Sequence, residues 1–350
     1  MASRKARWAT SIAAACLVVA GAGVAVAYWQ FGAFDRVDYD PGAAREQLEQ
    51  YQLEREGALP AGAELEAERD GDDDFEIDRG DELLTTLVLG SDARDGESAR
   101  ADAIMLVVVP PDDRKPVIAS IPRDLWVDNP CTGEKTRINA GLNGCGDDIS
   151  GPDLMSIMVE DLAGIEIDHY AEVDFDGFIR IVDAFGGVEI CTENPVRDWR
   201  AGLELPGGCV QASGDDALAW ARSRHTQELV DGTWQVQPGM NALVRDERQQ
   251  ELVLEVADRI ARFESPGELR SIASGLQGSV TLDSRMSLRQ VVGLAWEYRG
   301  LDTSDVERIT IPVTDYLTSG GAEVVRPEAS LKELLAEALD KDTSDLAGDD

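Results

Sequence analysis

Charged residues in this sequence gather where apolar segments begin or end. The segments "LGSDAR" and "RADAIML" each place an aspartate and an arginine two residues apart, and such residues point to the same side of an extended chain. "SIPRDLW" adds an adjacent pair, "WARSRH" carries two arginines at the same spacing, and "RDERQQ" repeats polar residues along one helical face. The residues concerned are Asp92, Arg94, Arg100, Asp102, Arg123, Asp124, Arg222, Arg224, Arg245, Arg248 and Gln249.

These residue types favour the chemistry of phosphate groups. A guanidinium group binds phosphate oxygens in a planar, bidentate manner and stays charged at neutral pH. Neighbouring carboxylates suit a hard cation such as Mg²⁺, or Mn²⁺ in its place, which bridges carboxylate and phosphate oxygens. Any one such pair on a surface would contribute only roughly 0 to 1 kcal/mol, so the hypothesis depends on their joint placement. The pattern predicts phosphoryl transfer, in which positioning and charge neutralisation carry most of the catalysis.

Other chemistries have little support in the sequence. It contains no G-x-S-x-G motif, no P-loop and no zinc-protease motif. Only two histidines are present. We interpret His169 as structural, and we give His225, which adjoins Arg224, only a secondary place as a candidate for substrate contact.

The overall charge excludes one class of partner. The 350 residues include 32 basic and 68 acidic ones, and the formal net charge is −36. This charge opposes the electrostatic attraction on which nucleic-acid binding depends, so we expect no nucleic-acid partner. Arginines nevertheless lie at the ends of several predicted strands and helices. We therefore expect a locally positive region in an otherwise acidic protein.

The N-terminus predicts a membrane anchor. Three basic residues within the first seven precede an uncharged stretch over residues 8–34, which is long enough to span a bilayer of about 30 Å. The alternative is a cleaved signal peptide, because Ala25-Val26-Ala27 resembles a processing site. In either case the rest of the chain lies outside the cytoplasm, and we expect a single-pass protein of the cell membrane.

Four cysteines fall in the exported part, and their even number favours disulfides. Three connectivities are open, and we expect the local one, which joins Cys131 to Cys145 and Cys191 to Cys209. Each such loop contributes roughly 3 kcal/mol in the chain-entropy model. A structural zinc site is the alternative, but the sequence has no C-x-x-C pair.

The order of elements predicts an α/β fold. We expect an acidic linker over residues 35–82, with a short helix through "PGAAREQLEQYQLERE" as one option within it. Three apolar runs of strand length follow, "LLTTLVLG", "DAIMLVVV" and "PVIASIP", which we expect to be neighbouring strands. Helical and strand patterns then alternate, and Ser213 is a candidate N-cap before "ALAWARSR". "RDERQQELVLEVADRIARF", "PGELRSIASGLQ" and "SLRQVVGLAWEYRG" predict later helices, and "VERITIPV" predicts a late strand.

The ordered motifs resemble one known family. "LVLGSDAR", "RADAIMLV", "IPRDLWV", "TRINAGL", "GIEIDHYAEVDFDGFIRIVDAFGGVEI", "ALAWARSRH" and "RDERQQ", in that order behind an anchor, are similar to the LytR-CpsA-Psr family of cell-wall proteins over residues 83–263. The resemblance implies a three-layer α/β/α domain with a central mixed sheet behind an N-terminal transmembrane helix. It also implies an apolar channel for a polyprenyl tail.

The resemblance further implies a reaction and a set of site residues. The reaction takes a glycopolymer from a polyprenyl-pyrophosphate carrier and attaches it to peptidoglycan through a phosphodiester link. The implied metal ligands are Asp92 and Asp102, for Mg²⁺ or Mn²⁺. The implied pyrophosphate-binding residues are Arg100, Arg123, Arg222, Arg224, Arg245 and Gln249.

This sequence departs from the family pattern at two places. Family members often have an aspartate where this chain has Ala242, and residues 226–241 form an insert that leaves acceptor contacts open. The arginine-rich, lysine-poor basic content resembles that of high-GC actinobacteria, for which the family resemblance implies an arabinogalactan-like polymer. Other Gram-positive members of the family transfer teichoic acid or capsule, and the sequence leaves this choice open. A non-catalytic binder of lipid-linked intermediates is the alternative function. A transcriptional attenuator is disfavoured because only about seven residues precede the apolar segment.

The predicted organisation therefore has five parts. Residues 1–34 are a cytoplasmic stub and anchor, 35–82 an acidic linker, 83–263 the catalytic domain, 264–340 further helices and a strand on the same domain, and 341–350 an acidic tail.

Overall fold

The computed structural model describes residues 35–55, 83–91, 101–110, 114–236, 242–261, 280–286 and 306–340. The predicted anchor, most of the predicted linker and the predicted helices at 266–277 and 287–300 lie outside these ranges. Three predicted site residues, Asp92, Arg94 and Arg100, also lie outside them. No helix within the described ranges is long and apolar enough to cross a membrane.

Short strands and helices of ordinary length make up the described chain. The strands are β1 (Asp35–Val37), β2 (Leu84–Ser91), β3 (Ala101–Val109), β4 (Val117–Ser120), β5 (Trp126–Asn129), β6 (Glu134–Arg137), β7 (His169–Asp174), β8 (Val188–Thr192), β9 (Val196–Asp198), β10 (Leu203–Leu205), β11 (Gly208–Ala212), β12 (Gln227–Val230), β13 (Thr233–Val236), β14 (Val280–Asp283), β15 (Glu307–Thr310), β16 (Val313–Leu317) and β17 (Glu323–Pro327). The helices are α1 (Pro41–Arg55), α2 (Gly151–Ala163), α3 (Phe175–Ala184), α4 (Gly214–Arg222), α5 (Ala242–Ala261) and α6 (Leu331–Asp340), with a 3-10 helix at Ile138–Asn143.

A mixed seven-stranded sheet forms the centre of the fold, in the order β1-β14-β7-β2-β3-β4-β15. The predicted strands β2, β3 and β4 are antiparallel neighbours, which confirms that part of the sequence interpretation. The late strand β15 runs parallel to β4 at one edge, and β1 runs parallel to β14 at the other. The predicted mixed α/β class is therefore confirmed.

Local capping residues explain where several helices begin. The Ser213 hydroxyl accepts a hydrogen bond from the Asp216 amide before α4, as the sequence predicts. Ser150 caps α2 in the same way, since its hydroxyl accepts from the amide of Asp153. Such caps satisfy amide donors that the first helical turn leaves unpaired.

One face of the central sheet carries a large apolar core. Leu87 and Leu89 of β2 belong to one buried cluster with Leu154 of α2 and Leu335 of α6. Side chains alternate between the two faces of a strand, so Val88 of β2 faces the opposite side, while Leu89 borders both the buried cluster and the cavity on that side. That opposite face is covered by α3, α4 and α5, and it contains the cavity described below.

The prediction of a linker over residues 35–82 is wrong for residues 35–55. Strand β1 joins the central sheet, and Tyr39 and Leu48 are buried in the main core. The Tyr39 hydroxyl donates to Ser156 Oγ at 2.9 Å, and Arg45 makes ion pairs with Glu160 and Asp161 of α2. The sequence obscures this role because α1 carries only a narrow apolar stripe among polar residues.

A second, smaller layer lies beyond the central sheet. Strands β10, β9, β12 and β13 form a four-stranded sheet, and β8 and β11 form a two-stranded one. Val196, Leu203 and Leu205 pack with Trp220 of α4 and Leu252 of α5 in a second buried cluster. The described part of the predicted insert, β12 and β13, is an antiparallel hairpin at the edge of the four-stranded sheet.

Candidate functional site

An irregularity in the central sheet positions Asp102. Gly90 of β2 faces Ala103 of β3, but the next residue, Ser91, faces Ala101, so Asp102 is an extra residue in its strand. A β-bulge of this kind turns a side chain out of the regular alternation. The Asp102 carboxylate lines the cavity on the α3–α5 face and forms an ion pair with Arg123.

Arg123 connects Asp102 to a further charged pair. Its Nε atom lies 3.5 Å from the carboxylate of Asp124, which is in turn 3.4 Å from Nε of Arg137. Arg137 also donates from Nη2 to the carbonyl oxygen of Glu323 at 2.8 Å. Arg137 was not among the predicted site residues, although it lies in the motif "TRINAGL". The charged site therefore extends one strand further than predicted.

The charges of Arg224 and Arg245 act on Arg123. Burial, together with the positive charges of Arg224 and Arg245, lowers the pKa of Arg123 to about 10, although Asp124 opposes the shift. Arg123 still carries its charge at neutral pH because this value lies well above 7. Like charges held together in a partly buried place create a region of positive potential, which favours an anionic ligand.

An apolar cavity of about 260 Å³ opens beside these charges, between the central sheet and helices α3, α4 and α5. We call it the apolar cavity. Its lining is Val88, Leu89, Gly90, Asp102, Ala103, Met105, Val173, Phe175, Phe178, Ile181, Leu218, Ala221, Arg222, Gln249, Leu252, Val253, Val256 and Val280. Only three of these residues are polar, and all three belong to the predicted site. Such a cavity suits an extended apolar chain with a polar end.

Arg222 and Gln249 are held where helices α4 and α5 meet. The guanidinium carbon of Arg222 lies 4.6 Å from the centroid of the Phe175 ring, a cation–π contact. Gln249 donates from Nε2 to the carbonyl oxygen of Ala221 at 3.5 Å. These contacts place both side chains on the wall of the apolar cavity.

A second space of about 250 Å³ is mostly polar, and we call it the polar cavity. Its lining residues are Asp198, Arg200, Ala201, Arg222, Arg224 and His225. Arg222 lines both cavities, so the two spaces meet at its guanidinium group. The predicted residue Arg224 and the secondary candidate His225 are thereby brought to the same side of the site.

Asp198, which sequence analysis missed, organises the loop behind the polar cavity. Its Oδ2 atom accepts from the Ser223 hydroxyl at 2.8 Å and from the backbone amides of Arg224 and His225 at 3.2 and 2.9 Å. Burial raises the pKa of this carboxyl, but the hydrogen bonds from His225 and Ser223 outweigh it, and the pKa is lowered. Asp198 is therefore a buried carboxylate that fixes the loop carrying Arg224.

Arg248 has a structural role, unlike its neighbours in the "RDERQQ" motif. Its guanidinium carbon lies 3.6 Å from the Trp220 ring centroid, and Nη1 donates to Thr226 Oγ1 at 3.1 Å. Burial lowers the pKa of Arg248 to about 10, which leaves it charged at neutral pH. Arg245 is equally buried and acts on Arg123 through its charge.

The remaining polar candidates have structural contacts. His169 Nδ1 lies 3.1 Å from Asp283 Oδ2 in the buried region between β7 and β14, which agrees with its interpretation as structural. The predicted disulfides are confirmed, since Cys131 is joined to Cys145 and Cys191 to Cys209.

Asp102 fits the predicted role of a metal ligand. Its carboxylate is partly exposed, lines the apolar cavity and lies among arginines that would hold phosphate oxygens. Mg²⁺ commonly binds through one or two carboxylates together with substrate phosphates, so one described aspartate at this position satisfies the donor chemistry. The second predicted ligand, Asp92, follows directly after β2 in the sequence but lies outside the described residues.

The fold and site together define a class of protein: an α/β domain with an apolar cavity next to several arginines. The family model described as the LytR_cpsA_psr family matches residues 56–340. The chain belongs to this family, and the resemblance seen in its motifs is confirmed.

Named relatives and a solved structure agree with this assignment. The cell wall biosynthesis protein LcpA of Corynebacterium glutamicum is 30% identical over 278 residues, which cover 70% of this chain and 51% of LcpA. This chain thus spans about half the length of that relative. TagU of Oceanobacillus iheyensis, named a polyisoprenyl-teichoic acid–peptidoglycan teichoic acid transferase, is 29% identical over 211 residues, or 60% of this chain and 62% of TagU.

A LytR-Csp2A-Psr enzyme from Actinomyces oris has a similar structure, with a TM-score of 0.58 and 28% identity. The match covers 73% of this chain and 89% of that one.

Proposed function

We propose that this protein is a phosphotransferase that moves a glycopolymer from a polyprenyl-pyrophosphate carrier to peptidoglycan. The observation that carries the proposal is the apolar cavity, whose only polar lining residues are Asp102, Arg222 and Gln249. Family membership and the names of LcpA and TagU support it. The polymer stays open between an arabinogalactan-like glycan and a teichoic acid.

The donor's lipid tail would occupy the apolar cavity. The lining offers aliphatic and aromatic side chains from four strands and three helices, such as Met105, Phe178 and Leu252. Burying an isoprenoid chain there releases the water around it and contributes affinity in proportion to the apolar area removed. The tail also tethers the reaction to the membrane that carries the lipid, in keeping with the expected N-terminal anchor.

The pyrophosphate would bind at the arginines. Arg222 lies at the junction of the two cavities, and Arg123 is close enough to Arg224 and Arg245 for their charges to lower its pKa. An anion placed among these groups relieves their mutual repulsion while the arginines fix its orientation. Mg²⁺, held by Asp102 and by the Asp92 that the motif implies, would neutralise further charge on the phosphate oxygens.

The reaction is a single displacement at phosphorus. A hydroxyl oxygen of peptidoglycan forms a new bond to the phosphorus that bears the glycan, and the bridging bond to the second phosphate breaks. Polyprenyl phosphate leaves with the electron pair, and the hydroxyl proton passes to water. Arg123 and Arg222 would stabilise the negative charge that develops on the transferred and leaving oxygens.

A transfer assay separates this enzyme from a non-catalytic binder. The full chain is loaded with a lipid-linked glycan and mixed with Mg²⁺ and peptidoglycan, and the glycan–phosphate–peptidoglycan adduct is followed by mass spectrometry. An enzyme consumes the donor and releases polyprenyl phosphate, whereas a binder returns the donor unchanged. If the lipid binds tightly but no acceptor and no Mg²⁺ concentration yields the adduct, the transferase proposal is wrong.

A further inference from the structure

Trp199 exposes a large aromatic surface and lies between two residues that line the polar cavity, Asp198 and Arg200. It has 78% of its surface exposed, the highest value among the large hydrophobic residues within the described ranges. Folded proteins usually bury most of an indole ring, and an exposed one commonly marks a contact surface. Trp199 directly follows β9, in a turn that Asp198 fixes. The Oδ1 atom of Asp198 accepts a hydrogen bond from the Arg200 amide, and the Asp198 carbonyl oxygen accepts one from the Ala201 amide.

The surroundings of Trp199 combine an apolar face with polar groups. The guanidinium carbon of Arg200 lies 5.2 Å from the Trp199 ring centroid, and Arg200 also lines the polar cavity. His225 lines the same cavity and adds a ring nitrogen for hydrogen bonding. A pyranose ring has matching chemistry, because its axial C–H groups form an apolar face and its hydroxyl groups project from the edges.

We propose that Trp199 and Arg200 form a platform for a sugar ring of the acceptor, the glycan strand of peptidoglycan. The proposal rests on the proposed function and names the part of the molecule that receives the acceptor. The indole face would stack on the C–H face of the ring, and Arg200 would donate to its hydroxyl oxygens. The bound strand would then direct a hydroxyl group into the polar cavity, toward Arg222.

The direction of attack assigns this platform to the acceptor. In a displacement at phosphorus, the attacking oxygen and the leaving oxygen lie roughly in line on opposite sides. The leaving group is polyprenyl phosphate, whose tail occupies the apolar cavity. The attacking hydroxyl therefore arrives by another route, and the polar cavity meets the apolar cavity at Arg222 while sharing none of its apolar lining.

Binding of isolated glycan strands tests the platform without the reaction. Peptide-free peptidoglycan strands are titrated into the full chain by calorimetry, in the absence of donor lipid. Trp199→Ala is expected to weaken binding about five- to tenfold, the effect of losing one aromatic contact. Trp199→Phe should retain most of the affinity. Leu317→Ala, which truncates another solvent-facing hydrophobic residue with 64% of its surface exposed, should leave affinity unchanged.

Steady-state assays distinguish failure of the platform from failure of the proposed function. Trp199→Ala should raise the half-saturating concentration of acceptor and leave that of the lipid-linked donor unchanged. Absence of transfer by the wild type, together with Trp199-dependent strand binding, would refute the transferase and support the platform. Wild-type strand affinity in Trp199→Ala, or a shift confined to the donor, would overturn the platform itself.

Discussion

Asp102 shows how one side chain depends on a single irregularity in a strand. In a regular strand the side chains of Asp102 and Ala103 would point to opposite faces of the sheet. The bulge opposite Gly90 and Ser91 instead brings both residues onto the wall of the apolar cavity. From there the carboxylate reaches Arg123 and lies beside the space where a phosphate would bind. The charge of Asp102, more than its size, is therefore the property that matters.

Asp102→Asn tests that charge, since the substitution keeps the shape of the side chain. We expect Mg²⁺-dependent release of polyprenyl phosphate to fall by about 10²-fold or more, by analogy with loss of one preorganised charge contact. Turnover is measured with loaded donor at several Mg²⁺ concentrations. Asp128→Asn is the matched control, because Asp128 is an exposed aspartate paired with Lys135 at the surface. A folded Asp102→Asn protein with wild-type turnover would show that the metal and phosphate site is assigned wrongly.

Asp198→Asn tests the buried carboxylate behind the polar cavity. The folded state lowers the pKa of Asp198 below its ordinary value of 3.8, so its contribution to stability is complete above that value and is lost as pH falls through the folded pKa. We expect the variant to be about 1–3 kcal/mol less stable at pH 7, because amide donors of the loop lose a charged acceptor. Urea denaturation at pH 7 and near pH 3 measures the difference, which should shrink at the lower pH.

The control for this experiment is Asp147→Asn, which changes an exposed aspartate outside the loop. Equal urea midpoints for wild type and Asp198→Asn at pH 7 would contradict the role given to the carboxylate. A loss of transfer activity without a loss of stability would instead place Asp198 among the residues that contact substrate.

At the scale of elements, α1 belongs to the core. Its residue Leu48 is 2% exposed, and Tyr39 just before the helix is 1% exposed. Both lie in the same cluster as Leu154 and Leu335, so the segment contributes to the layer that supports the central sheet. Two features conceal this boundary in the sequence. The apolar residues of α1 are few and widely spaced, and the strongly acidic residues 63–82 follow shortly after the helix.

Leu48→Ala measures the contribution of α1. We expect a loss of about 2–5 kcal/mol in the free energy of unfolding, the usual cost of truncating a fully buried leucine. Urea midpoints are compared with those of Glu49→Ala, which removes an exposed side chain from the adjacent position of the helix. A chain starting at residue 56 that unfolds at the same urea concentration as one starting at residue 35 would refute the assignment of α1 to the domain.

At the scale of the whole molecule, two disulfides tie down peripheral elements. Cys191 of β8 and Cys209 of β11 face each other across an antiparallel pair. Cys131 lies in the turn between β5 and β6, and its bridge to Cys145 ties this turn to the loop before α2. Both bridges fit an exported protein, because disulfides persist mainly in oxidising compartments.

Peptide mapping without reduction tests both bridges. We expect mass spectrometry to find Cys131 linked to Cys145 and Cys191 linked to Cys209. Replacing Cys191 and Cys209 together by alanine should cost about 2–4 kcal/mol of stability, because the unfolded chain regains conformational freedom. Cys16, which lies in the apolar N-terminal segment, provides an internal reference for a free thiol. Free thiols at all four positions would contradict both the bridges and the exported location.

The sequence by itself determined the residue types and the local elements on which the proposed site depends. The spacing of Asp102, Arg123, Arg222 and Arg224 at the ends of apolar segments indicated a phosphate site, and local patterns located β2, β3, β4 and the N-cap at Ser213. These features are readable because periodicity, capping and charge act over a few residues. The cysteine pairing was also the local one, although the sequence left two other connectivities open.

Only the tertiary structure decided how distant segments meet. The bulge at Asp102 depends on pairing with β2, the link from Asp124 to Arg137 depends on the turn between strands, and the burial of Asp198 depends on a loop about 25 residues away. The two cavities that share Arg222 are spaces between layers, which no single segment encodes. Their positions follow from long-range packing, and local propensity carries no information about the distances that packing creates.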